Sequence, residues 1–264
     1  MKDVIVTTSG RPNDSIIREA EKIAKELNIP YKSRNKQSVD GMIAKHKASV
    51  IVVGKERITA QALQEQDPFF FHPNAAMFRA KRWMKTKEDP LVQACNLKEG
   101  DSFLDATMGL ASDAIIASLA TGPNGEVIGI EESEMIAFIV KSGLSNYESN
   151  VSEIDEALRR IRVYSHSNLE WLRKAETDSM DVVYFDPMFE EEVSGSNGFD
   201  PMRPFTVKSS FTEEVLEEAK RVAKKRVVLK DHFRSDRFQK FGFSVQVRPS
   251  ATYHFGTIEM EGSN

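Results

Sequence analysis

A single cysteine, Cys95, is the whole thiol inventory of this 264-residue chain, so no intramolecular disulfide can form and a reducing, cytoplasmic setting is expected. Cys95 lies in an apolar, helix-like stretch with Leu91, Val92 and Ala94, which favours a buried structural thiol over a nucleophile. No apolar run approaches the roughly 18 residues of a membrane-spanning helix. The N-terminal Val4–Thr8 stretch lacks the longer apolar core of a signal peptide. The five histidines (His46, His72, His166, His232, His254) are scattered, without His-x-x-x-His or Cys-x-x-Cys spacing, so no metal site is expected.

Charge is plentiful and unevenly placed. Residues 1–90 hold 17 Lys+Arg against 11 Asp+Glu, a net of +6, while the remainder holds 19 against 29, a net of −10. A basic N-terminal part on an acidic body points toward nucleic acid, although solvated surface lysines produce the same count.

Periodicity divides the chain in two. Residues 1–66 read as a small α/β domain: a strand at Val4–Thr8, a helix near Ser15–Leu27 ended by Pro30, a helix near Val39–Lys47 and a strand at Ser49–Val53. Residues 67–264 read as the main domain. It opens with Asp67-Pro68-Phe69-Phe70-Phe71-His72-Pro73, and its 67–99 portion contains a basic helix, Asn74–Lys87. From Gly100 strands and helices alternate, and two last strands follow with no long helix between them. That order predicts a Rossmann-like α/β sheet, mainly parallel, with an antiparallel edge strand.

In such sheets ligands bind beyond the carboxyl ends of the strands. The first of these strands ends Leu104-Asp105-Ala106-Thr107-Met108-Gly109-Leu110-Ala111-Ser112-Asp113. Asp105 and Thr107 line the turn, Gly109 permits close backbone approach, and Ser112 or Asp113 can cap the following helix. The second ends at Glu131-Glu132, about 20 residues beyond the glycine turn, where an acid can accept both hydroxyls of a nucleoside ribose. The third runs into Ser167-Asn168, which can reach an adenine edge, although a capping box formed by Ser167 and Glu170 explains them equally well. The first turn lacks Gly-x-Gly-x-x-Gly, which argues against a nicotinamide-dependent oxidoreductase.

The fourth strand is the most informative, running straight into Asp186-Pro187-Met188-Phe189. A carboxylate and a carbonyl at this position can accept both hydrogens of an exocyclic amine, and Phe189 can stack on a base. An ordinary Asp-Pro turn is the bland alternative.

With these motifs in order, the chain resembles the bacterial small-subunit rRNA guanine-N2 methyltransferases that share an Asp-Pro-Met-Phe motif. The resemblance runs through Asp105–Leu110, Asp113-Ala114, the Glu131 strand end, Ser142-Gly143-Leu144, Val182–Phe189 and Lys225–Lys230. It implies an S-adenosylmethionine cofactor contacted by Ser112, Asp113, Glu131, Glu132, Ser167, Asn168 and Asp186. It also implies an RNA partner; the basic helix Asn74–Lys87, with Arg79, Lys81 and Arg82, is a candidate RNA surface by its charge, although an amphipathic linker helix would look the same. The chain differs from that family at Ala111-Ser112, where Gly-Arg is usual, and at Glu190-Glu191-Glu192, an acidic run that would repel a phosphate backbone. Two further readings stay open: methylation of a small-molecule or protein amine, and a non-catalytic cofactor- or RNA-binding protein.

Overall fold

The computed structural model describes residues 1, 3–187, 200–207, 210–249 and 251–261. The chain divides into two compact units. The first holds Met1–His72, Glu134–Asn146 and the short 3-10 helix Asp200–Phe205. It is therefore longer than the 1–66 stretch suggested by periodicity, and it recruits a helix from far along the chain.

Its sheet has four strands, β1 (Val4–Thr8), β2 (Ser49–Val53), β3 (Ile58–Gln61) and β4 (Phe69–Phe70), in that spatial order. β1 and β2 are parallel, while β2–β3 and β3–β4 are antiparallel. All five residues of β1 are buried, as a run of Val and Ile covered on both faces requires. The helix Asp14–Glu26 starts where the Asn13 side chain accepts from Ile16 N at 3.0 Å, and it buries Ile16, Ala20, Ile23 and Ala24. It stops before Pro30 because Asn28 turns left-handed (φ 52°) and Ile29 N closes onto Ala24 O. β3 and β4 escaped the sequence reading because both are short and neither alternates cleanly. Within the same unit Gly143, on helix Glu134–Asn146, meets the Phe71 ring so closely that a Cβ would lie 2.1 Å from it.

The second unit carries a seven-stranded sheet: β5 (Ser102–Asp105), β6 (Glu126–Glu131), β7 (Arg162–Ser165), β8 (Met180–Phe185), β9 (Ala223–His232), β10 (Ser244–Gln246) and β11 (Tyr253–Glu259). The order is β10-β11-β9-β8-β5-β6-β7. Strands β7, β6, β5, β8 and β9 run parallel, while β11 is antiparallel to both β9 and β10. This is the Rossmann-like sheet with an antiparallel edge that the element order predicts. Its core joins Leu104, Ile128, Ile130, Val183, Phe185, Val227 and Leu229 to the Val215, Leu216, Ala219 and Val222 face of helix Glu213–Val222. Chain order reverses between β5 and β8, which creates the crevice where open α/β sheets bind ligands. Cys95 is buried, on a short helix Pro90–Cys95. The amphipathic helix Ser152–Arg160, with Ile154, Ala157 and Leu158 buried, was not expected from the sequence. No helix among the described residues is long and apolar enough to cross a membrane.

Candidate active site

The turn after β5 is strapped to its neighbours on both sides. Ala106 N donates to Tyr184 O on β8, and Met108 N to Ile130 O on β6, each at 2.9 Å. Met108 then lies over Gly129, where a Cβ would come within 2.1 Å of its sulfur, so this strand position must lack a side chain. Gly109 adopts φ 50° with open space on its Cβ side. Its amide donates to Glu131 Oε2 at 3.1 Å, and Ser133 N donates to Glu131 Oε1 at 2.8 Å. Burial pushes the Glu131 carboxyl above its usual range, against the pull of these amides.

On the other side of the crevice the acids are held by side chains. Asp113 is buried, and three groups reach it: Arg79 Nη1 donates to Oδ1 at 2.5 Å, while the Tyr184 hydroxyl at 2.7 Å and Lys230 Nζ at 3.1 Å donate to Oδ2. Arg79 also grips Asp89 through two bonds, at 3.0 and 2.9 Å. Lys230 Nζ continues to Asp186 Oδ2 at 2.6 Å. Asp186 N donates to Thr107 Oγ1 at 2.6 Å, so the backbone at the end of β8 is pinned as well. Asp105, buried beneath, accepts from Thr107 N at 3.2 Å.

Three carboxyls in one place cannot behave alike. Burial alone would raise Asp113, but Lys230 and Arg79 outweigh it and hold that carboxyl well below the usual range. Burial, reinforced by the Asp113 charge, lifts Asp105 well above that range. Burial also pushes Asp186 up to about 6, with Lys230 pulling down and Asp113 and Asp231 pushing up. Lys230 loses water too, yet its two carboxylate partners keep it firmly cationic.

The structure thus brings Asp105, Thr107, Asp113 and Asp186 into one network and joins Gly109 to Glu131. Ser112 follows Ala111, which takes the N-cap position in a left-handed conformation (φ 61°) with no side-chain cap bond. Neither Ser112 nor Asp113 is therefore the cap that the sequence suggested. Ser167 does occupy the N-cap of helix Asn168–Lys174, but its side chain makes no cap bond, so the expected capping box is not formed. Glu132, Ser167 and Asn168 do not join the network among the described residues. Arg79 departs from its expected role on RNA, since two buried acids engage its guanidinium, whereas Lys81 and Arg82 are exposed. Phe189 and Glu190-Glu191-Glu192 lie outside the described residues. Lys230, Tyr184 and Asp89 were missed, because nothing local marks a strand-end lysine, a buried strand tyrosine or an acid before a proline as partners.

A family model for S-adenosylmethionine-dependent methyltransferases matches residues 36–246. The chain belongs to this family. An uncharacterised protein of Bacillus subtilis, YpiP, is 46% identical over 255 residues, 97% of this chain and 99% of that protein. Ribosomal RNA small subunit methyltransferase J of Thioalkalivibrio sulfidiphilus is 29% identical over 157 residues, 57% of this chain and 60% of that protein. Its counterpart of the same name in Nitrosococcus oceani is 28% identical over 185 residues, 66% of this chain and 71% of that protein. The crystal structure of an S-adenosylmethionine-dependent methyltransferase from Neisseria gonorrhoeae shares the fold, with TM-score 0.62 at 14% identity over 98% of this chain and 97% of that one.

The cofactor of this methyltransferase is S-adenosylmethionine, and the crevice suits it. Each Glu131 oxygen uses one acceptor site on an amide and keeps another for a ribose hydroxyl. The open side of Gly109 leaves room for close approach, and the carboxylates suit a sulfonium cation. Among the described residues, no group of three or more His, Cys, Asp or Glu side chains is arranged to hold a metal ion.

Proposed function

We propose that this methyltransferase modifies an exocyclic base amine of RNA, guanine N2 of the small-subunit rRNA. The observation that carries the reading is Asp186, fixed at the mouth of β8 through Lys230 and Thr107 and followed at once by Pro187. The names of the rRNA methyltransferase J relatives support the substrate class.

Bound S-adenosylmethionine supplies an electrophilic methyl group. Glu131 would hold the ribose, with Gly109 allowing close approach. Ser112, Asp113, Glu132, Ser167 and Asn168 would complete the cofactor's surroundings, above a floor formed by Asp105 and Thr107. The Asp186 carboxylate and the Pro187 carbonyl would accept the two amine hydrogens, aligning the nitrogen lone pair for in-line attack. Phe189 would stack on the base. As the nitrogen becomes cationic it sheds a proton, and Asp186, with its carboxyl raised to about 6, is the acceptor at hand. Lys81 and Arg82 would contact the RNA backbone, and the 1–66 portion would be accessory to the transferase domain of 67–264.

Labelled-methyl transfer to assembled small subunits, naked small-subunit rRNA and small amines, followed by nucleotide mapping, tests this reading. Label on a guanine N2 of the rRNA supports it. Label found on amines alone, or on nothing despite cofactor binding, overturns it in favour of the small-amine or the non-catalytic reading.

A further inference from the structure

The last strands of the main sheet end in a cluster of rings and cations beside the Asp186 network. β9 leads from Lys230 through His232 to Phe233 and Arg234, and its register with β11 pairs Phe255 with Lys230 and Tyr253 with His232. Phe233 N donates to Thr252 O, which ties the two chain segments together just beyond the strand end. The Tyr253 ring lies between two cations, with Lys230 Nζ 4.9 Å and the Arg248 guanidinium carbon 4.5 Å from its centre. Phe233 packs against His232 at 4.6 Å and His254 at 6.2 Å, carries Arg234 at 5.0 Å, and is still 43% exposed.

Two features make this more than a packed corner. Arg234 and Arg248 pair with no carboxylate among the described residues, whereas nearby Asp231 is engaged by Arg237, Ser235 and the His232 amide. One Arg248 nitrogen, Nη1, is buried with no hydrogen-bond partner among the described residues. Lys230 then links the cluster to the reaction, because the same ammonium that faces Tyr253 holds Asp186 at 2.6 Å.

We infer that this rim, made by Phe233, Arg234, Arg248 and Tyr253, docks the single-stranded RNA segment flanking the target nucleotide. Phe233 stacks on a neighbouring base, and the two guanidinium groups hold backbone phosphates. An exposed ring serves any base, and an unpaired segment is what delivery of an exocyclic amine to a strand-end site requires. The inference rests on the RNA reading above and adds where the strand lies. It moves the main contact from the helix Asn74–Thr86 to the β9–β11 end.

The test is fluorescence anisotropy with a short, unstructured, fluorescein-labelled RNA over a salt series. Phe233→Ala should weaken binding by roughly five- to a hundredfold, as loss of one base stack does. Arg234→Gln with Arg248→Gln should flatten the salt slope by about 1.4, roughly 0.7 per phosphate contact, and Arg248→Lys should restore its share. S-adenosylhomocysteine affinity, read by calorimetry, should stay within about twofold, which separates docking from misfolding. Arg234, exposed at the rim, gives a fold-neutral variant should Arg248→Gln prove unstable. Wild-type RNA affinity and slope in all these variants would overturn this inference and leave the RNA reading standing. A wild-type protein that neither binds RNA nor methylates small subunits would overturn both.

Discussion

Glu131 and Asp186 stand on opposite sides of the same crevice and are held by opposite means. Glu131 takes two backbone amides, from residues 22 and 2 positions away. Asp186 takes an ammonium from a residue 44 positions away, and that ammonium also serves Asp113, 117 positions from it. A carboxylate held by backbone keeps its geometry when neighbouring side chains change. One held by a shared cation depends on every member of the network. The β6 side should therefore tolerate substitution elsewhere, and the β8–β9 side should not.

The strongest way to break that contrast is to remove the shared cation. Lys230→Met leaves two facing carboxylates, one of them buried, with the 17% exposed ammonium gone. Loss of one partner from a buried ionic cluster costs about 3–5 kcal/mol. Urea unfolding should show a drop of that order, and a change under about 1 kcal/mol would mean the network is far looser than the distances indicate.

Next in size is the loss of Asp186 itself. Asp186→Ala should slow single-turnover methyl transfer by about a hundredfold or more, as misalignment of a reacting amine does. Its pH profile sharpens the comparison. Since the Asp186 carboxyl is pushed up to about 6, the ionised acceptor accumulates above that pH, and the rate should rise through about 6. Lys230→Gln removes the charge pulling Asp186 down, so the inflection should move upward; an unmoved inflection would assign the titration to another group. Stability runs the other way. Between the ordinary carboxyl value near 3.9 and about 6 the folded chain keeps a proton on Asp186 that the unfolded chain has lost, so its contribution falls as pH rises. Asp113, held low, contributes above the ordinary value and loses that contribution as pH falls through its folded pKa.

A smaller effect is expected on the backbone-held side. Glu131→Ala should weaken S-adenosylhomocysteine binding by about 1.5–3 kcal/mol, the scale of hydrogen bonds to a charged group, with little change in the pH inflection. Calorimetry showing wild-type affinity in a folded variant would remove Glu131 from the cofactor contacts.

The same division decides what could be read from the chain alone. Strand ends, the Gly109 turn and the position of Glu131 follow from periodicity and spacing, because they express local backbone geometry. The Asp-Pro turn after β8 is legible for the same reason. The Arg79–Asp113–Lys230–Asp186 network is not, since its members come from a helix, a helix start and two strands that only the sheet order assembles. β3 and β4 were too short to signal themselves. The helix Glu134–Asn146 reads as an ordinary crossover after β6, and nothing in its own sequence reveals that it joins the N-terminal unit, where Gly143 accommodates Phe71.

The finest test of the comparison lies within a single helix, Asn74–Thr86. Counted by charge, Arg79, Lys81 and Arg82 look alike, yet the structure separates them. Arg79 bridges Asp89 and Asp113 and is 28% exposed, whereas Arg82 is 57% exposed and 4.0 Å from Asp89 at its nearest, and Lys81 is exposed. Lys81→Gln with Arg82→Gln should therefore leave unfolding and cofactor affinity unchanged and, if this helix touches RNA, flatten the salt slope by at most about 1.4. Arg79→Gln should instead lower stability and disturb the pH profile, because Asp113 would keep only the Tyr184 hydroxyl and the Lys230 ammonium and would draw that ammonium from Asp186. Equal effects from the two changes, on RNA binding and on nothing else, would show that Arg79 is a surface cation after all.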